Sequence, residues 1–267
     1  MFHIVAPEQV SGLPWWPLVA VLVALVVLNV VNNRVAPQEH YLLWAFAGST
    51  ALLALGLLDG NSFTDMGLGL GYFIPGLIWG SLCIGVVTLV YLVGASLRKT
   101  RQAFHDERMV DLSAGRLVFN ALVEVPFGTV LLEEVAFRGV LFSMLARRFG
   151  VVWAIVISAV LFGFWHVLPS IGTHEQNAAL GSVVGEGRRG NVLAVGLSVL
   201  GTGLAGVVFN GLRLFSGSLL APMGLHWATN GLGYAFSWVI IRLRIRHQQR
   251  EEAEEAAERE RRDAAEE

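Results

Sequence analysis

Long apolar runs, separated by short polar segments, dominate this chain and predict helices that span a membrane. A helix needs about 20 mostly apolar residues to cross the hydrocarbon core of a bilayer. The pattern therefore predicts an all-α, polytopic membrane protein with seven transmembrane helices in one bundle, or eight if the long fourth run breaks at Pro126 and Gly128. The runs occupy residues 15–33, 41–58, 71–97, 117–145, 151–168, 192–212 and 218–241.

The polar segments divide the chain into three predicted parts. Residues 1–14 form a short N-terminal tail without Lys or Arg, so we expect the helix that follows to be retained rather than cleaved as a signal peptide. Residues 15–241 form the transmembrane helical domain. Residues 242–267 form a charged C-terminal tail, which we expect to be solvated and either partly helical or disordered. The alternative for this tail is a basic lipid anchor, residues 242–250, followed by an acidic docking arm.

Composition agrees with a membrane protein and excludes several other classes. The chain is 54% hydrophobic and 15% charged, with a formal net charge of −2, whereas soluble domains carry about 25% charged residues. Without a strongly basic surface, we expect no nucleic-acid partner. The single cysteine, Cys83, excludes an intrachain disulfide and a metal cluster built on cysteines. The chain has 18 arginines and one lysine, a bias that favours a GC-rich prokaryote and its cytoplasmic membrane.

The distribution of basic residues predicts an orientation. Residues 98–116 and the "RLRIR" segment are rich in arginine, whereas residues 59–70 contain no Lys or Arg. Cytoplasmic loops carry the excess of Lys and Arg, so the first two segments, and with them the C-terminus, are expected on the cytoplasmic side. Arg147 and Arg148 disagree with this scheme. We expect Arg213 to lie at the interface with its head group reaching towards water.

Small residues inside two apolar runs predict close packing of helices. The sequence "GTGLAG" at 201–206 has the glycine spacing of a dinucleotide-binding loop, but it lies within an apolar run with no preceding strand. Small residues let membrane helices approach each other, and the same interpretation applies to "GLIWG" at 76–80.

Charged residues interrupt the apolar pattern in "LLEEVAFRGVLF", residues 131–142. Each charge at the centre of a bilayer costs about 2.5–3.5 kcal/mol on insertion scales, so this segment needs partners or contact with water. Glu134 and Arg138 are four residues apart on one helix face and are predicted to form an ion pair. Glu133 is rotated by about 100° from Glu134, so its carboxylate can point at something else.

Two later helices supply further polar side chains. Phe162 and His166 are four residues apart in "FGFWH", and His226 and Asn230 are four apart in "HWATN". A carboxylate, two imidazoles and an amide that converge in a dry pocket are suited to activating water. One histidine can relay the proton, and the other, with the asparagine, can donate to an oxyanion. The alternative is a non-proteolytic membrane scaffold or transporter, in which the same pocket binds rather than cleaves.

These residues resemble the three motifs of the CPBP family, the CAAX-protease and bacteriocin-processing (Abi) intramembrane proteases, which includes the type II CAAX prenyl endopeptidases. The resemblance covers roughly residues 116–240. The motif E-E-x-x-x-R is matched by Glu133, Glu134 and Arg138, the motif F-x-x-x-H by Phe162 and His166, and the motif H-x-x-x-N by His226 and Asn230.

The resemblance implies hydrolysis of a peptide bond in a membrane-associated protein or peptide. It implies that Glu133 and His166 activate the water and that His226 and Asn230 line the oxyanion site, with Glu134, Arg138 and Phe162 in support. Zn²⁺ is a possible cofactor, with His166, His226 and Glu133 as its ligands. We expect no cofactor, because the H-E-x-x-H arrangement that commonly supplies zinc ligands from one helix is absent from the chain.

Overall fold

Helices make up the regular structure of this protein. The structure is a computed structural model, and it describes residues 5–266 except for the side chains of 178, 179, 260, 265 and 266. Within the described residues there is no β-strand, and one isolated bridge pairs Asp106 with Asn177. The predicted all-α class is confirmed. Five helices of the described chain are long and apolar enough, by length and composition, to cross a membrane, within residues 16–35, 38–58, 70–96, 151–170 and 187–216.

Fourteen α-helices follow one another along residues 5–266. They are α1 (Trp16–Val30), α2 (Tyr41–Leu58), α3 (Phe73–Ser96), α4 (Arg98–Arg101), α5 (Ala114–Phe119), α6 (Leu131–Glu134), α7 (Phe142–Phe149), α8 (Val151–Trp165), α9 (Val167–Ser170), α10 (Thr173–Gln176), α11 (Ala178–Val184), α12 (Gly187–Ser216), α13 (Leu220–Trp227) and α14 (Gly233–Glu266). Segments of π-helix lie at Val31–Val35, Asn120–Val130, Val135–Leu141 and Ala228–Leu232, and 3-10 turns lie at Gln38–His40, Leu70–Tyr72, Gln102–Phe104 and Glu107–Met109.

The two other predicted spans, 117–145 and 218–241, are helical but alternate between α- and π-helix. The predicted count of seven to eight transmembrane helices is therefore not confirmed. Pro126 does not break its helix and lies within the π-helix Asn120–Val130. Proline has no backbone N–H, so it removes one hydrogen bond of a regular helix, and the wider π-turn accommodates this change without a chain reversal.

The segment from α6 to α7 forms the centre of the bundle. Every residue from 132 to 146 is buried, whereas a helix at the surface of a bundle buries only one stripe. Helices α2, α8 and α12 pack around this segment. The charged residues of "LLEEVAFRGVLF" therefore lie inside protein and not against lipid.

Glycines bring helices into close contact at the two predicted places. A Cβ atom on Gly206 would lie 3.2 Å from Ala159 Cβ, and one on Gly163 would lie 2.6 Å from the Val199 carbonyl oxygen. A Cβ on Gly80 would lie 2.7 Å from the Leu220 carbonyl oxygen. The small residues therefore permit backbone-to-backbone packing of α8 on α12 and of α3 on α13.

Loops gather at two opposite ends of the bundle. At one end, the Asp59 end, the Val10 N–H donates to the Arg147 carbonyl (2.8 Å) and the Leu219 N–H donates to the Gly67 carbonyl (2.9 Å). At the other, the cavity end, Trp238 Nε1 donates to the Leu112 carbonyl (2.8 Å). The Asp59 end comprises residues 5–15, 59–70, 147–150 and 216–219, and the cavity end comprises residues 31–40, 97–113 and 166–187 and the part of α14 that follows Ser237.

Arg213 is enclosed by protein, and the expectation that its head group reaches towards water is wrong. Its side chain is fully buried. Its Nη1 donates to the Val5 carbonyl (2.6 Å) and its Nη2 donates to the Asp65 carbonyl. A buried guanidinium needs hydrogen-bond acceptors, and the N-terminal segment and the loop after α2 supply them. Arg213 therefore ties these two segments to α12.

Candidate active site

Three motif side chains meet in the interior of the bundle. Glu133 lies at the end of α6, His166 directly follows α8, and His226 lies in the last turn of α13. Glu133 Oε2 is 3.9 Å from His166 Nε2 and 3.7 Å from His226 Nε2. Both separations are too long for a direct hydrogen bond and suit a bridge through one water. Glu133 is 6% exposed, so the three groups meet in a medium with little bulk water.

Hydrogen bonds on the far side of each imidazole determine its tautomer. His166 Nδ1 lies 2.8 Å from the Phe162 carbonyl oxygen, and His226 Nδ1 lies 2.7 Å from Glu134 Oε1. A carbonyl or carboxylate oxygen only accepts, so each Nδ1 carries the hydrogen. The neutral form of each ring then presents an unprotonated Nε2 towards Glu133.

Glu134 and Arg138 form the pair that their spacing predicts, and Glu134 has a second partner. Arg138 Nη1 lies 3.1 Å from Glu134 Oε1, and both side chains are fully buried. The same oxygen accepts the hydrogen bond from His226 Nδ1. Glu134 thus links the charge of Arg138 to the orientation of His226. Glu134 and His226 are 92 positions apart, and the sequence patterns did not predict their contact.

The guanidinium of Arg138 is held between two aromatic rings. Its Cζ lies 3.8 Å from the centroid of Phe162 and 4.6 Å from the centroid of Phe209. Phe162 also packs its ring against His166, with centroids 4.7 Å apart, and Phe209 stacks on His226 at 5.2 Å. Such cation–π contacts replace part of the lost hydration of a buried arginine. Phe162 therefore supports both the arginine and the histidine, and Phe209, an aromatic residue in an apolar run, carried no signal in the sequence.

Trp165 contacts the second oxygen of Glu133. Its indole Nε1 donates to Glu133 Oε1 over 2.9 Å. Sequence reasoning missed this residue as well, although it directly precedes His166 in "FGFWH". Among the described residues, no protein group hydrogen bonds to Glu133 Oε2. One oxygen of the carboxylate is therefore held by protein, and the other faces the two imidazoles.

Asn230 lies on the wall of a cavity of about 920 Å³ at the cavity end, whereas the three converging side chains do not line this cavity. Thr129, four residues before Glu133, lines the same wall, and its hydroxyl lies 3.0 Å from the hydroxyl of Tyr41, which also lines it. Thr129 and Asn230 thus border both the cavity and the turns that hold Glu133 and His226. The cavity also contains Glu124, which pairs with Arg116 at 2.9 Å.

The side chains that Zn²⁺ would use are present at this site. Imidazole nitrogens and carboxylate oxygens bind zinc at about 2.0–2.2 Å, and His166, His226 and Glu133 supply these atom types. Within residues 5–266, no group of three or more His, Cys, Asp or Glu side chains is arranged to hold a metal ion. The separations of 3.7 and 3.9 Å suit a shared water.

Comparison with known proteins connects this site to a family. Residues 115–232 match the model of a family described as "Type II CAAX prenyl endopeptidase Rce1-like". The match spans all three motifs, confirms the resemblance to CPBP proteases and supports an integral membrane, CAAX-type endopeptidase. Helices α1 to α4, and α14 from its first residue onwards, lie outside the matched segment. No curated protein and no solved structure matches the chain significantly.

Proposed function

We propose that this protein is an intramembrane endopeptidase that hydrolyses a peptide bond of a membrane-associated protein or peptide, with Glu133 and His166 activating the water. The observation that carries the proposal is the position of Glu133 Oε2, 3.9 Å from His166 Nε2 and 3.7 Å from His226 Nε2. The match of residues 115–232 to an Rce1-like endopeptidase family supports the same reaction class.

The first step is the attack of water on the scissile carbonyl. A water between Glu133 Oε2 and His166 Nε2 can donate one hydrogen bond to each, which directs an oxygen lone pair at the substrate carbon. As the C–O bond forms, the water proton passes to Glu133 and the carbonyl oxygen becomes an oxyanion. When the C–N bond breaks, the same proton passes to the leaving amine. Atoms and charge are balanced without a further reactant.

Stabilisation of the oxyanion falls to His226 and Asn230. His226 Nδ1–H already donates to Glu134 Oε1. A second hydrogen bond, from Nε2 to an oxyanion, therefore requires the imidazolium form of His226. This cation would lie against the Glu134 carboxylate. The geometry resembles a histidine oriented by a carboxylate in hydrolases of other folds. In this proposal the substrate enters from the cavity, and its carbonyl oxygen points towards Asn230.

We propose that the cavity end faces the cytoplasm of a prokaryotic cell. Residues 98–116, rich in basic side chains, and the C-terminal part of α14 both lie at this end. Arg147 and Arg148 at the opposite end contradict a simple count of positive charges. However, both contact Asp59, and Arg213 is buried against carbonyl groups, so these three arginines do not form a free basic surface there.

The test is cleavage of a fluorogenic CAAX peptide by the purified full-length protein in liposomes, with the peptide supplied in a farnesylated form and an unmodified form. Glu133→Gln is expected to lower kcat by at least about 10²–10⁴-fold, the usual contribution of a general base, and to leave binding of the uncleaved peptide unchanged. Glu8→Gln, an exposed glutamate at the Asp59 end, is the matched control and is expected to cleave at the wild-type rate.

The two peptides separate the reaction from its substrate class. Cleavage of both forms, lost in Glu133→Gln, would establish the protease and leave prenylation unnecessary. A Glu133→Gln protein that cleaves at the wild-type rate would refute water activation by Glu133. If the peptide binds but the wild-type protein cleaves neither form, a binding scaffold becomes the better account.

A further inference from the structure

We infer that Trp165 is a positioning residue of the proposed reaction: its indole N–H holds one oxygen of Glu133 so that the other faces both catalytic imidazoles. The inference rests on the proposed function and adds a residue at an unspecified position of the motif F-x-x-x-H. Trp165 is buried, and its Nε1 lies 2.9 Å from Glu133 Oε1.

Other parts of the bundle hold Trp165 in place. Asn29 of α1, itself buried, donates from Nδ2 to the Trp165 carbonyl oxygen over 2.7 Å. The Trp165 ring packs edge-on against Phe137, with centroids 5.5 Å apart. Contacts from α1 and from the central segment therefore restrain its backbone and its ring. An indole restrained in this way directs its N–H along a defined line.

The hydrogen bond makes the two oxygens of Glu133 inequivalent. A free carboxylate can rotate about its terminal bond, which has a broad torsional profile, and this rotation would exchange the two oxygens. The indole nitrogen is a donor only, so it binds one oxygen and cannot compete for the proton of the attacking water. The second oxygen then remains 3.7 and 3.9 Å from the two Nε2 atoms.

The peptide bond between Trp165 and His166 also couples the two groups that activate the water, Glu133 and His166. Trp165 and His166 are neighbours in the chain, so the hydrogen bond from Trp165 to Glu133 sets the distance between Glu133 and the turn that carries His166. Loss of this bond is expected to lengthen or misdirect the path of the proton and to leave the cavity, where the substrate binds, unchanged.

Kinetics with the fluorogenic CAAX peptide test the role. Trp165→Phe keeps a ring against Phe137 and removes the N–H, so kcat is expected to fall by roughly 10²-fold, the effect of a small misplacement of a reacting group, with KM unchanged. Trp238→Phe is the matched control, because it also removes an indole hydrogen bond, to the Leu112 carbonyl (2.8 Å), but at the cavity end. It is expected to retain the wild-type kcat.

A second measurement is independent of turnover. In protein labelled with ¹⁵N at the tryptophan indoles, the Trp165 signal is identified by its loss in Trp165→Phe. This signal is expected to shift in Glu133→Gln, because the acceptor changes from a carboxylate to an amide, and to stay in place in Glu8→Gln.

Four results would overturn the inference. An indole signal that does not respond to Glu133→Gln would show that the contact is absent, whether or not the protein is a protease. A shifted signal combined with wild-type kcat in Trp165→Phe would leave a contact without a positioning role. An equal fall of kcat in Trp165→Phe and Trp238→Phe would point to a general structural effect. A wild type that cleaves no peptide would refute the proposed function, and the positioning role with it, while the indole signal would still report on the contact.

Discussion

Two buried clusters of charge occupy different parts of this bundle, and their balance of donors and acceptors differs. The central cluster contains Glu133, Glu134 and Arg138, with two carboxylates for one guanidinium. The second lies at the Asp59 end and contains Asp59, Arg147 and Arg148, with two guanidinium groups for one carboxylate. The central cluster has an excess of carboxylates, and the other has an excess of guanidinium groups.

In the Asp59 cluster the excess donors bind the backbone. Arg148 makes two hydrogen bonds to the Asp59 carboxylate, at 2.5 and 2.9 Å, and donates further to the carbonyl of Pro14. Arg147 donates to the carbonyl of Asp59 over 2.6 Å. These contacts join the N-terminal segment, the end of α2 and the end of α7. A cluster with this composition joins loops, and its one carboxylate is occupied by two guanidinium groups.

In the central cluster, buried polar atoms of both signs remain without protein partners. Among the described residues, Oε2 of Glu133, Oε2 of Glu134, and Nε and Nη2 of Arg138 have no hydrogen-bond partner in the protein. A buried polar atom without a partner costs about 1–3 kcal/mol of stability, and such costs are concentrated at functional sites. The comparison shows that burial of charge by itself does not identify a site. The central cluster is distinguished by its excess of carboxylates over guanidinium groups and by the two imidazoles that lie against those carboxylates.

Arg138→Leu tests the central cluster most severely. It leaves Glu134 buried without its cation, and removal of one partner of a buried ion pair costs about 3–5 kcal/mol. We expect the thermal midpoint and the yield of folded protein to fall sharply. A double variant, Glu134→Leu with Arg138→Leu, is expected to recover part of this loss because no unpaired charge remains, while turnover stays low since His226 has lost its carboxylate. Wild-type stability in Arg138→Leu, with turnover abolished, would instead assign Arg138 a direct catalytic role.

Asn230→Ala tests whether a neutral amide extends the central cluster towards the cavity. Removal of one donor to an oxyanion lowers kcat by about 10²–10³-fold, and we expect a change in this range with KM and thermal midpoint unaltered. Asn33→Ala, another amide on the cavity wall, is the comparison variant. Equal rates for the two variants would remove Asn230 from the oxyanion site.

Asp59→Asn tests the structural role of the Asp59 cluster. Arg147 and Arg148 would lose their carboxylate but keep their carbonyl partners, so we expect a loss of about 1–3 kcal/mol in the free energy of unfolding. The turnover of the protein that remains folded should equal that of the wild type, measured as kcat per folded molecule after size-exclusion chromatography. A loss of kcat without a loss of stability would show that the Asp59 cluster affects the active site.

A chelator is expected to have the smallest effect. The unpartnered oxygens of the central cluster can be satisfied either by the hydrogens of a water or by a cation, and the proposed reaction uses a water. Incubation with a zinc chelator, followed by dialysis, should therefore leave kcat unchanged. Stoichiometric zinc in the active protein, with activity lost on its removal and restored on its return, would convert Glu133, His166 and His226 into ligands of the ion.

Local patterns in the sequence predicted much of this arrangement. Apolar runs indicated an all-α membrane protein because helix length is tied to bilayer thickness. The pairing of Glu134 with Arg138 followed from the helical repeat, which brings residues four apart onto one face. Both inferences use geometry that the backbone imposes within a single helix. The number of spanning helices was less predictable, because π-helical turns interrupt the two most polar segments.

Contacts between distant helices could not be derived from these patterns. The bond from Trp165 to Glu133 joins residues 32 positions apart, and the bond from His226 to Glu134 joins residues 92 apart. The burial of Arg213 depends on carbonyl groups from Val5 and Asp65. In each case the sequence shows that a buried polar group needs a partner, and only the packing of the helices decides which partner comes within about 3 Å of it.

The sequence by itself thus determined which side chains are chemically able to activate water, since residue type and helical repeat depend only on local structure. The tertiary structure alone decided which oxygen of Glu133 is free, which tautomer each histidine adopts, and that Asn230 lines the cavity while the three other side chains do not. The physical reason is that hydrogen bonds are short and directional, so a small shift between packed helices changes the partner, whereas the helical repeat stays the same.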